Sequence, residues 1–114
     1  MFYLVIHIYQ EQYIEDILLT LTGLGVRDVQ VTTTVNESRR LAHNMPLFAG
    51  YKEKLGIASP YSKVLSAIVN DEKVPERLIK SLNNVGINFI NEDLGDIMLL
   101  PIVKSYKKEL SLSK

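Results

Sequence analysis

The residues with chemistry to offer fall into three groups. Glu92, Asp93 and Asp96 crowd a short polar turn around Gly95, where three carboxylates can hold a hard cation. The turn lacks the longer EF-hand pattern, so its plainer reading is a solvated loop. Arg39 and Arg40 form a second group, a pair of adjacent cations that suit an anionic ligand. The third group is histidine: His7 sits inside an apolar alternating run and reads as a packed, hydrogen-bonded side chain, while His43 reads as solvated. With no cysteine and only these two histidines, transition-metal ligation is a weak proposal. No nucleophile–base pair stands at an informative spacing, and no Gly-rich phosphate motif occurs. The expectation is a non-enzyme, with no metal site.

Arg39, Arg40 and His43 belong to a stretch from about Asn36 to Ser62 with no strand alternation, several times longer than the ~4–6 residues of ordinary connections. Leu41, Met45, Leu47, Phe48, Tyr51, Leu55, Ile57 and Tyr61 make it too apolar for a solvated linker. Pro46 and Gly56 bracket a predicted short helix with Leu47, Phe48, Tyr51 and Leu55 on one stripe. The stretch reads as a partly ordered arm, packed at its base and presenting polar groups beyond. Phe48, Tyr51, Lys52 and Lys54 are its candidate partner-binding residues. The plainer alternative is an inert excursion folded back on its own domain.

The totals bound what surrounds the arm. At 114 residues the chain is one domain, residues 1–103, followed by a polar tail, 104–114. Thirteen basic residues balance thirteen acidic ones, which disfavours nucleic acid as a partner. No apolar run reaches the ~18–20 residues of a membrane span, and no secretory leader is evident. A cytoplasmic protein without membrane insertion is expected.

Phe2 to Tyr9 alternates as a strand, with Phe2, Leu4, Ile6 and Ile8 on one face and Tyr3, Val5, His7 and Tyr9 on the other. A helix from about Glu11 carries Ile14, Ile17, Leu18, Leu21 and Leu24, and Val26 to Val35 is a β-branched strand. After the arm come a strand over Lys63 to Asn70, a helix from Pro75 with the stripe Leu78, Ile79, Leu82 and Val85, and a strand-like Ile87 to Ile90. An apolar run, Ile97 to Val103, follows the polar turn. The halves repeat. The offset from Leu4 to Leu65 also carries Ile8 onto Val69, Ile17 onto Leu78, Leu21 onto Leu82, Gly25 onto Gly86 and Val26 onto Ile87. Two copies of a strand–helix–strand unit make an α+β, ferredoxin-like βαββαβ sandwich, an antiparallel sheet with two helices on one face. Its other face, with Tyr3, Val5, Val64 and Ile68, is apolar enough to mark an interface.

This layout resembles the PII and PII-like nitrogen-regulatory signalling family. The likeness rests on the paired halves, the insertion between second and third strands, Gly95-Asp96, and Pro101-Ile102-Val103. It implies a homotrimer whose inserted T-loop engages a protein partner, with small effectors, commonly adenine nucleotides, in clefts between subunits. Gly95, Asp96, Arg39 and Arg40 are then the effector-binding candidates. The chain departs from the family's lysine-rich phosphate loop: Ile97 and Met98 follow Asp96, and Glu92 and Asp93 precede it. Tyr51 lacks the motif around the family's modified tyrosine, so modification is not carried over. Two other readings share the architecture. A CutA-like trimeric metal-tolerance protein should show Trp and Cys features absent here, and a small enzyme would use the arm as a lid. An acylphosphatase needs an arginine-bearing cradle where this chain has Tyr9-Gln10-Glu11-Gln12. An RNA-recognition module wants aromatics where this chain has Val64, Ser66 and Ile68.

Overall fold

The computed structural model describes residues 1–44 and 60–106. The predicted helix between Pro46 and Gly56, the arm residues Phe48, Tyr51, Lys52 and Lys54, and the tail leucines Leu110 and Leu112 lie outside the described residues. Among the described residues four strands and three α-helices alternate: β1 (Phe2–Ile8), α1 (Ile14–Gly23), β2 (Gln30–Val35), α2 (Glu37–Asn44), β3 (Tyr61–Val69), α3 (Val74–Asn84) and β4 (Gly95–Pro101), with a 3-10 turn at Glu11–Tyr13 leading into α1. The strands form one antiparallel sheet in the order β2-β3-β1-β4. The architecture is α+β. No described helix is long and apolar enough to cross a membrane.

Alternation decides which side of the sheet is dry. Leu4, Ile6 and Ile8 of β1 and Leu65, Ala67 and Val69 of β3 are buried, and in one cluster with them lie Ile17 and Leu21 of α1 and Val74, Leu78 and Leu82 of α3. Both helices therefore share one core with this side of β1 and β3. Each leucine-sized side chain removed from water there contributes roughly 1.5–3 kcal/mol, so this core carries the fold of the described residues.

The internal repeat extends to the backbone hydrogen bonds. At the end of α1, Val26 N–H bonds the Leu21 carbonyl at 3.0 Å and Gly25 N–H the Thr22 carbonyl at 3.0 Å. At the end of α3, Ile87 N–H bonds the Leu82 carbonyl at 2.8 Å and Gly86 N–H the Asn83 carbonyl at 3.0 Å. These are two Schellman caps at equivalent positions, and each needs a left-handed residue, supplied by Gly25 (φ 85°) and Gly86 (φ 83°). Val85 is the C-cap of α3 and 69% exposed, so it leaves the predicted buried stripe.

Beyond the caps the halves diverge. The predicted strand Val26 to Val35 begins only at Gln30, because Asp28 takes a left-handed backbone (φ 56°) that no strand accommodates. Ile87 to Ile90 is not a strand at all. Its backbone closes on itself through Glu92 N–H to Asn88 O (3.0 Å) and Leu94 N–H to Phe89 O (3.1 Å), and Glu92 Oε1 accepts from Asn88 N–H at 3.1 Å. That compact turn drops Phe89 and Leu94 fully into the core and delays the last strand to Gly95.

The first part of the arm is helical, which the sequence reading missed. Asn36 caps α2: its Oδ1 accepts from Arg39 N–H at 3.1 Å, and its carbonyl accepts from Arg40 N–H at 2.9 Å.

Candidate functional site

The two ends of the arm meet at one end of the sheet, where β1 finishes and β3 and β4 begin. Asn36 N–H bonds the Pro60 carbonyl at 2.8 Å, and Val35 pairs with Tyr61, so β2 and β3 close the base of the arm as a ladder. The alternation that buries Ile6 and Ile8 turns His7 and Tyr9 to the other face, and the same phase presents Thr34, Ser62 and Asp96 there. His7 stands opposite Val64 on β3 and Asp96 on β4.

These side chains make a polar strip across all four strands. His7 Nε2 and Ser62 Oγ share a hydrogen bond of 2.6 Å, and Ser62 Oγ and Thr34 Oγ1 share one of 2.9 Å. Which group donates at each link follows the tautomer of His7. The His7 ring meets that of Tyr9 edge-on, centroids 5.1 Å apart, and the Tyr9 hydroxyl donates to Asp96 Oδ2. That hydrogen bond, above all, raises the Tyr9 pKa, because losing the phenolic proton would leave two anions in contact. Partial burial and the charges of Asp96 and Asp93 push the same way, and Arg39 opposes them.

The four effector-binding candidates from the sequence separate here. Asp96 lies in the strip, and Arg39 is close enough for its charge to act on Tyr9. Arg40 is drawn aside by Glu37: Nη2 lies 2.7 Å from Oε2 and Nε donates to both carboxylate oxygens, which holds the Glu37 carboxyl below its usual range. Gly95 is buried and has no left-handed backbone. Its requirement is space, since a Cβ there would collide with the His7 carbonyl and press on the Phe89 ring. Asp93, not Gly95, carries the left-handed conformation of this turn (φ 50°).

His7 is a hydrogen-bonded, half-buried histidine as predicted, and the side chain of His43 lies outside the described residues. Among the described residues no group of three His, Asp or Glu side chains converges to hold a metal. Sequence reading missed Ser62, Thr34 and the role of Tyr9. Ser62 and Thr34 are in phase with the open faces of their strands, yet pairing them with His7 required the register of β3 against both neighbours. Compared with known proteins, the chain matches no family model, and no curated protein matches it either.

Chemically, the strip offers a hydroxyl–imidazole pair, a phenol–carboxylate pair and one nearby guanidinium. All of it sits where the arm leaves and re-enters the sheet. A ligand bound here would touch both roots of the arm.

Proposed function

We propose that the chain is a non-enzymatic, PII-like regulatory protein of the ferredoxin-like βαββαβ class, in which a small effector at the arm's base sets the state of the arm. The observation that carries the reading is the strip Thr34–Ser62–His7 with Tyr9–Asp96, which links the arm's two roots to the first and last strands of the sheet. An effector that replaces or extends these hydrogen bonds has differential affinity for two arm arrangements, the condition for a ligand-driven switch. Asp96 and Arg39 are the effector contacts in this reading, with Gly95 keeping β4 tight against β1. The arm, with Phe48, Tyr51, Lys52 and Lys54, engages a protein partner. The carboxylates of Asp93 and Asp96 outnumber the Arg39 guanidinium at this end, so the effector favoured is one whose negative charge is small or shielded, rather than a bare triphosphate.

The open face of the sheet supports a homotrimer as the working assembly. Met98 and Leu100 on β4 are 49 and 46% exposed on it, an apolar surface that a monomer leaves wet. A cytoplasmic location goes with this reading. Light scattering at low micromolar concentration should give about three chain masses. A thermal-shift screen against nucleotides, divalent ions and common metabolites should find a stabilising ligand. Asp96→Asn should abolish that shift while the fold persists. A clean monomer, or full ligand response in Asp96→Asn, removes the proposal.

One contact favours a second reading, a small enzyme with the arm as lid: the Ser62–His7 hydrogen bond has the geometry of a nucleophile and its base. Fluorophosphonate labelling separates the two readings. Covalent modification of Ser62 that disappears in His7→Gln would favour the enzyme, and an unreactive Ser62 the regulator.

A further inference from the structure

At the opposite end of the sheet, beside Phe2 and its partners Val69 and Pro101, lies an open groove of about 880 Å³. It runs between the connection from α1 to β2 and the connection from β3 to α3, and is of the size that small-molecule sites have (~300–1,000 Å³). Its lining has three parts. Tyr3 and Ile68, a register pair on β1 and β3, give it exposed apolar surface. Gln30 and Ser66, a register pair on β2 and β3, add an amide and a hydroxyl, each able to donate and accept. Arg27 and Asp28 supply adjacent charges of opposite sign.

The state of those charges is informative. Asp71, another carboxylate in the groove, is already engaged, with Arg77 Nη1 at 2.8 Å and Lys73 N–H at 2.8 Å. Arg27 and Asp28 have no side-chain hydrogen bond or ion pair among the described residues. Asp28 is also one of the two non-glycine residues, among the described residues, in a left-handed backbone, a conformation whose cost must be borne by its surroundings. The other is Asp93, beside the polar strip at the far end.

We propose that this groove binds a free amino acid with an apolar side chain. Arg27 takes the carboxylate, Asp28 takes the ammonium group, and the side chain lies on Tyr3 and Ile68. Either charge alone would suit an acid or an amine. The two together, next to an apolar wall and two neutral hydrogen-bonding groups, select the zwitterion. Exposed ion pairs contribute modestly, so the affinity expected is on the order of 1 mM. The inference does not depend on the regulatory reading of the arm.

The test is an amide NMR titration of the full chain with L-phenylalanine, 3-phenylpropanoate and 2-phenylethylamine. L-Phenylalanine should give saturable shifts centred on residues 25–30 and 66–68, and each analogue, lacking one charge, should bind about tenfold more weakly. Arg27→Gln and Asp28→Asn should each weaken L-phenylalanine by about tenfold without lowering the melting temperature, because both side chains are exposed. Asp28→Gly, which relieves the left-handed backbone, should lose the same affinity while gaining stability. Non-saturable shifts, shifts centred elsewhere, equal binding of the three probes, or undiminished binding in the variants would each overturn the proposal.

Discussion

The two faces of the sheet are built from the same strands by the same alternation, yet they solve different problems. On the covered face, Leu4, Ile6, Ile8, Leu65, Ala67 and Val69 meet two helices and lose nearly all contact with water. On the open face, one end is apolar, with Tyr3, Ile68, Met98 and Leu100, and the other is the hydrogen-bonded strip from Thr34 to Asp96. The covered face needs only matched volume. The open face has polar groups whose pairing depends on register, and so its geometry is specified more narrowly than its burial would suggest. Where β2 and β3 leave the sheet the two faces come closest in character. Thr34 bonds Ser62 on one side, and on the other Lys63 Nζ donates to Thr33 Oγ1 at 2.6 Å and lies 3.8 Å from Glu11. The base of the arm is pinned from both sides.

The contrast predicts unequal mutational costs. Leu82→Ala, at a fully buried site on α3, should cost about 2–5 kcal/mol by lost burial plus a cavity. Met98→Ala, half exposed on the open face, should cost the isolated subunit well under that and act chiefly on assembly. Urea denaturation of the two variants, each at several protein concentrations, separates subunit stability from association. Equal, concentration-independent losses would erase the distinction between the faces.

Gly95 joins the two faces, so its substitution comes next in size. A methyl group there meets the His7 carbonyl on β1, which would force β4 away from its partner. Gly95→Ala should cost about 1–3 kcal/mol, with the amide protection of β4 falling more than that of β3. Hydrogen exchange reads this directly, and protection lost evenly across the sheet would contradict the local account.

The covered face was legible in the sequence because one period fixes it. Leu4, Ile6 and Ile8 declare a face of β1, and the equivalent residues of the second half declare the same face of β3. The helix-ending glycines Gly25 and Gly86 were legible for a related reason, since a left-handed cap has few residues to choose from. The second strand of each half was not. The β-branched run Val26 to Val35 reads as continuous strand, and only the backbone at Asp28 interrupts it. Ile87 to Ile90 has strand composition, but the side chains of Asn88 and Glu92 offer its backbone a local partner, and Phe89 is buried better from a turn than from an edge strand. At the candidate site, Asp96 and Arg39 were named from sequence alone. The bond of Asp96 with Tyr9 was not, because it requires β1 and β4 to be neighbours in a particular register. The pairing of Arg40 with Glu37 was not legible either, because it spans one helical turn and a helix was not expected there.

The smallest effect belongs to the phenol that closes the strip. Tyr9 donates to Asp96, so the folded state prefers the protonated phenol and its pKa is raised. An unfolded tyrosine titrates near its ordinary value of about 10. The sign follows from linkage: the stability this contact contributes is fully present below the unfolded pKa and is lost as pH rises through the higher folded one. The stability difference between the parent chain and Tyr9→Phe should therefore be constant through neutral pH and shrink above about pH 10. Its size should be small, because Tyr9 is partly open to water, 37% exposed. Asp96→Asn removes both the strongest acceptor and its charge, and should bring the Tyr9 titration down toward the ordinary value. Following the Tyr9 ring carbon by NMR across alkaline pH decides it. A midpoint that stays raised in Asp96→Asn would place the cause in burial or in Asp93, and the strip would then end at His7 instead of reaching the last strand.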